Sequence, residues 1–126
     1  MQFELKMPLL GFESIKTMNL KKIDDIFMRL TSNEDDSASF TLINPFVLTD
    51  YDFVVPTAIQ TLLEIDDDAN ILIFNVVIVQ SPIESSTINF AAPLVFNTDN
   101  GSMAQVILEN SPNYSIAEPI SNFLGK

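Results

Sequence analysis

The sequence contains no cysteine and no histidine. Without them there can be no thiol nucleophile, no imidazole base, no haem held by histidine, no structural zinc and no disulfide. Such a chain is also indifferent to the redox state of its compartment. Glycine is almost as scarce: Gly11, Gly101 and Gly125 stand alone, so no glycine-rich phosphate loop can form and nucleotide cofactors are not expected. The most apolar run, Ile71 to Val79, is broken by Asn75 and is about half the ~20 residues that a membrane-spanning helix needs. The first residues, Met1-Gln2-Phe3-Glu4-Leu5-Lys6, lack the basic start and long apolar stretch of a secretory signal. The expected location is the cytoplasm, away from the membrane.

Basic residues are the last scarcity. Seventeen acidic residues face six basic ones, for a formal charge of -11, and no Lys or Arg lies between Arg29 and Lys126. That stretch holds thirteen carboxylates, among them Glu34-Asp35-Asp36, Asp50 with Asp52, and Asp66-Asp67-Asp68. It would repel a phosphate backbone and attract a basic partner, so direct nucleic-acid binding is not expected. Self-repulsion of such a surface favours a monomer.

What is present reads as a single all-β domain spanning residues 1–126, a small antiparallel β-barrel-like fold with one short helix. A chain of 126 residues buries roughly two-thirds of its unfolded surface and needs no staple. Short runs of Ile, Val, Phe and Thr recur about every ten residues between turn formers. They predict strands over 2–6, 14–20, 26–31, 39–44, 71–80, 87–96 and 104–109, with most neighbours paired as hairpins. A helix is predicted from Pro56 through Ile59, Leu62 and Leu63, whose i, i+3, i+4 spacing makes one apolar face. Asp66-Asp67-Asp68 should lie in an exposed loop ending it, since carboxylates at a helix C-terminus oppose the macrodipole. Asp99-Asn100-Gly101 is a turn that supplies positive φ angles. Pro45 requires the preceding strand to end, bulge or lie at an edge, where a partner strand could add. Residues 110–126 read as an extended tail with helical character at its end.

Catalysis finds little support. Paired carboxylates remain, and Glu84 and Glu109 flank apolar strands, but nothing in their spacing selects them as an acid–base pair. The contiguous acids at 66–68 lack the alternation and glycine of a calcium loop. Phe40, Phe46, Phe53, Phe74, Phe90 and Phe96 stand apart from basic residues, so they predict core rather than a base-stacking platform. Phe46, Tyr51 and Phe53 are the aromatics expected to be partly exposed, because they follow Pro45.

Three motifs sharpen the picture. Leu9-Leu10-Gly11-Phe12-Glu13 stands near the start; Ile43-Asn44-Pro45-Phe46 is followed by Asp50-Tyr51 and Phe53; Thr87-Ile88-Asn89-Phe90 is followed by Ala92-Pro93-Leu94-Val95. With Asn97, Gln105, Asn110, Tyr114 and Pro119 in order behind them, the chain resembles the FliW family of flagellar assembly factors over nearly its whole length. That resemblance implies a β-barrel-like fold, no cofactor, and two protein partners: flagellin and the translational repressor CsrA. A member would hold the repressor off flagellin mRNA until unsecreted flagellin captures it; an export chaperone for flagellin without regulatory activity is the alternative. The family positions expected to bind are Asn44, Phe46, Tyr51, Asn89, Asn97, Gln105, Asn110 and Tyr114. The asparagines could equally satisfy backbone groups at turns, and Gln105 could be an outward ladder position. The chain departs from the family pattern at Ala91, in the hairpin 97–104 and at Ala117-Glu118, where basic residues are usual.

Overall fold

The computed structural model describes residues 1–9, 11–34, 38–108 and 114–123. Among these residues nine strands form: β1 (Gln2–Leu5), β2 (Thr17–Lys22), β3 (Phe27–Ser32), β4 (Ser39–Ile43), β5 (Ile71–Ile78), β6 (Thr87–Ile88), β7 (Leu94–Asn97), β8 (Ser102–Gln105) and β9 (Glu118–Pro119). Seven of them close a barrel in the order β1-β2-β3-β4-β5-β7-β8 and back to β1, with β6 and β9 extending from β5. Every pairing is antiparallel except β1 against β8, where Glu4 and Leu5 run parallel to Ser102 and Met103. The all-β expectation is borne out, and the pairings β1–β8, β5–β7 and β6–β9 join strands that are not consecutive in the chain.

The interior is filled by one face of each strand. Phe3, Met18, Leu20, Leu30, Leu42, Phe74, Leu94, Phe96 and Met103 form one buried cluster, and Phe3, Phe74 and Phe96 meet edge to face. A second apolar layer lies outside the barrel, against the outer faces of β4, β5, β7 and β8. The one α-helix among the described residues, α1 (Thr57–Leu62), contributes to it by packing Ile59 and Leu63 with Val95 and Ala104. The predicted helix is thus present, although Leu62 is turned partly to solvent. It ends in a Schellman arrangement: the Ile65 and Glu64 amides donate to the Gln60 and Thr61 carbonyls, with Glu64 left-handed at φ 55°. The acids at 66–68 follow, all exposed.

Several boundaries differ from expectation for visible reasons. The predicted strand 87–96 is interrupted. β6 pairs with Val77 and Ile78 and β7 with Ile71–Phe74, both along one edge of β5, while residues 89–93 bulge outward between them. The bulge takes up the chain that follows, since the Val106 and Leu108 amides donate to the Pro93 and Ala91 carbonyls. Neither bond is returned, because Pro93 has no N–H and the Ala91 amide donates to Asn89 Oδ1 instead, so the regular pairing of β8 ends at Gln105. The described part of the tail is extended in β9, which pairs with β6, and a 3₁₀ turn, Ile120–Asn122, follows it, in line with the expected extended tail with helical character at its end. Of the three outcomes expected at Pro45 the strand takes the first: β4 ends at Ile43, and because it has neighbours on both sides, β3 and β5, it is not an edge to which a partner strand could add. In the β7–β8 loop Gly101 takes a positive φ of 69°. Asn100 does not, as four residues rather than two make the connection.

Candidate partner-binding face

After β4 the chain turns at Pro45–Val47, a 3₁₀ turn capped by Asn44, whose Oδ1 accepts from the Phe46 amide at 3.0 Å. This delivers Tyr51 onto the outer face of β5. Tyr51 stands at the centre of an aromatic cluster, with ring centroids 4.9 Å from Tyr114, 5.2 Å from Phe53, 5.2 Å from Phe90 and 6.3 Å from Phe46. Its hydroxyl donates to the Phe90 carbonyl and accepts from Asn75 Nδ2. The same amide donates to the Asn89 carbonyl at 2.9 Å. Asn75 therefore fills the gap that the 89–93 bulge leaves beside β5, and it is fully buried there. Burial pushes the Tyr51 phenol up to about 12, against the lowering effect of the Asn75 amide.

The tail locks this arrangement. Tyr114 Oη donates to the Asp52 carbonyl at 2.6 Å and accepts from the Asp52 amide. The Phe90 amide donates to the Ser115 carbonyl and the Ile120 amide to that of Ser86. Segments 45–55, 106–108 and 114–123 thus form one cover over β4, β5 and β6. The cover exposes Phe46, Val47, Val54, Ile107 and Ile116 together with Asp50 and Asp52. Among its described residues there is no cation. The ion pairs among the described residues, Glu4–Lys6 at 3.3 Å and Lys22–Asp25 at 3.2 Å, both lie in the first 25 residues.

The anticipated binding residues fall into three places. Asn44, Phe46, Tyr51 and Tyr114 share the cover, where Phe46 is 53% exposed and Tyr51 only 6%. Asn89 and Gln105 line a separate hollow of about 150 Å³ at one end of the barrel, beside Phe12 and Phe40. There Asn89 Oδ1 accepts from the Ala91 amide, and Gln105 Nε2 donates to the Ala92 carbonyl. Asn97 sits elsewhere, 1% exposed; its amide donates to the Leu63 carbonyl at 2.8 Å, and Asn100 Nδ2 and Ser102 Oγ reach the same oxygen. That trio caps the end of α1. Asn110, and Glu109 of the considered carboxylate pair, lie outside the described residues. Sequence reasoning missed Asn75, Phe123, Asp50 and Glu118; the one asparagine inside the longest apolar run was the available signal for the first. Among the described residues no group of three carboxylates could hold a metal ion.

The fold is a closed seven-stranded barrel, one wall of which carries an acidic, aromatic cover. The family model described as FliW protein matches residues 1–120, and the chain belongs to the FliW family. It is 52% identical to the flagellar assembly factor FliW of Sulfurimonas denitrificans, over the full length of both chains. It is 51% identical to FliW 2 of Wolinella succinogenes, over 98% of this chain and 92% of that one. With the FliW of Campylobacter lari the identity is 46%, over 98% and 97%. A crystal structure of the flagellar assembly factor FliW superposes with a TM-score of 0.88 at 25% identity, covering 94% of this chain and 84% of that one. No helix among the described residues is long and apolar enough to cross a membrane.

Proposed function

We propose that this chain is a cytoplasmic regulator of flagellar assembly that acts by binding proteins and catalyses no reaction. It sequesters the translational repressor CsrA, relieving repression of flagellin mRNA, and releases it when flagellin binds. The observation that carries this reading is the cover: exposed apolar and aromatic side chains set among carboxylates, with no cation among its described residues. A surface that binds RNA must be basic, so the repressor is the complementary partner, and an acidic protein docked beside its RNA site repels phosphate without covering it. Affinity then comes from anchors such as Phe46, and the rim carboxylates set the association rate.

Calorimetric titration of the chain with purified repressor and, separately, with flagellin tests the proposal. Binding to both with mutual displacement supports it. Flagellin binding alone makes the chain an export chaperone without regulatory activity, and binding to neither rejects both readings.

A further inference from the structure

A second hollow opens where the loop 49–50 meets the tail. It encloses about 210 Å³ and is lined by the rings of Phe90, Tyr114 and Phe123 together with Asp50 and Glu118. Phe90 forms the floor, 4% exposed. The other two rings stand against it, Tyr114 with a centroid 6.5 Å away at 29° and Phe123 with one 5.7 Å away at 57°. Glu118 is placed by β9 and further held by Asn122 Nδ2, which donates to its Oε1 at 2.9 Å. Asp50 accepts no hydrogen bond from another described residue.

These groups suit a cation. Aromatic faces carry negative charge density that attracts an ammonium or guanidinium. The two carboxylates would lose hydration without compensation if an uncharged group filled the hollow. The chain has no cation of its own to offer between Arg29 and Lys126. A guanidinium fits the set better than an ammonium, because its planar face stacks on a ring while its edge donates two parallel hydrogen bonds to a carboxylate.

We infer that the hollow bounded by Asp50, Phe90, Tyr114, Glu118 and Phe123 receives an arginine side chain of a protein partner. The inference deepens the proposed function and rests on it only for the partner's identity.

The test has two arms. In the first, the wild-type chain is titrated with N-acetyl-arginine methylamide and with its neutral isostere, N-acetyl-citrulline methylamide, while the aromatic ¹H–¹³C signals of Phe90, Tyr114 and Phe123 are followed. The arginine compound should shift them saturably at a concentration at least ten-fold below the citrulline one. Asp50→Asn with Glu118→Gln should abolish the response, whereas the charge-matched pair Asp66→Asn with Asp67→Asn should retain it. Equal responses to the two compounds, no response to arginine, or equal loss in both variants overturns the assignment.

In the second arm the repressor itself is titrated. If wild type binds it, the Asp50/Glu118 variant should lose at least ten-fold more affinity than the Asp66/Asp67 variant; equal affinities overturn the assignment while leaving the proposed function standing. If wild type does not bind the repressor, the proposed function fails and the arginine titration alone decides the hollow.

Discussion

The two walls of the barrel are built on different plans. On the β2–β3 wall the side chains alternate: Met18, Leu20 and Leu30 are buried while Lys21 and Arg29 are exposed. That wall carries five of the six basic residues, counting Lys6 beside β1 and Lys16 beside β2. On the opposite wall both faces are covered. Phe74 faces the interior, and Asn75 and Val77 are buried beneath the aromatic cover. All four residues of β7 are likewise buried. A strand with one dry face must alternate, and a strand with two dry faces need not, so the lapse of alternation marks where a second layer lies. Charge follows the same division, since basic groups cluster on the bare wall and the cover is acidic.

Phe90→Ala breaks the comparison most severely. It removes the ring shared by Tyr51, Tyr114 and Phe123 and should cost about 3–5 kcal/mol, as deletion of a buried aromatic does. Lys21→Ala on the bare wall should stay within ~0.5 kcal/mol. Urea unfolding of the two variants measures both; a similar loss in each would mean that the cover contributes no more than surface does.

Tyr51→Phe asks whether the cover is bonded as well as packed. The phenyl ring keeps its neighbours, but the Phe90 carbonyl loses its donor and Asn75 Nδ2 one of its acceptors. Leaving such groups unpaired costs about 1–3 kcal/mol. The sign of the pH dependence is also set. The phenol is raised from 10.0 to about 12 in the folded state, so its contribution is complete below the unfolded value and is lost as pH rises from about 10 toward 12. Wild type should weaken over that window more than Tyr51→Phe does.

How much of this was legible in the sequence follows the same division. The alternating strands of the bare wall stood out, as did the helix, whose i, i+3, i+4 spacing needs no knowledge of its partner. The apolar run of β5 was readable as buried, but not what covered it, because the covering rings come from separate segments on either side, Tyr51 and Phe53 before it and Phe90 and Tyr114 after it. The break at 89–93 had a local signal in Pro93, which cannot donate to a ladder; what the sequence did not show is that Asn75 bonds the Asn89 carbonyl across the sheet. Asn97 was visible as a motif residue but not as the partner of Leu63, since the loop that caps α1 is separated from it by 34 residues.

Glu64→Gly sharpens the boundary between helix and cover with a smaller effect of opposite sign. Glu64 holds the left-handed position that glycine normally occupies at a helix end, and its side chain is exposed. Removing the Cβ should relieve about 1 kcal/mol of backbone strain, offset in part by the greater freedom of glycine in the unfolded chain. A modest rise in the urea midpoint with an unchanged slope is expected; a fall would show that the Glu64 side chain contributes more than its backbone costs.

The smallest effect is confined to acid and concerns how the β7–β8 loop is tied to the segment leading into β5. Asp99 Oδ1 accepts from the Asn70 side-chain amide at 2.8 Å and Oδ2 from the Asn70 backbone amide at 3.0 Å. The Asn70 side chain and then its backbone hold the Asp99 carboxyl below its usual range. A depressed carboxyl stabilises the fold at pH values above the unfolded one, about 3.9, and that contribution is lost as pH falls through the folded value. Asp99→Asn keeps one acceptor but not the charge. It should unfold at lower urea than wild type near neutrality, and the two midpoints should converge as pH drops below about 4. A gap that persists undiminished in acid would mean that the Asp99 charge does not hold Asn70, and that the loop is tied to it by the Thr98 amide and hydroxyl, which both donate to the Asn70 carbonyl.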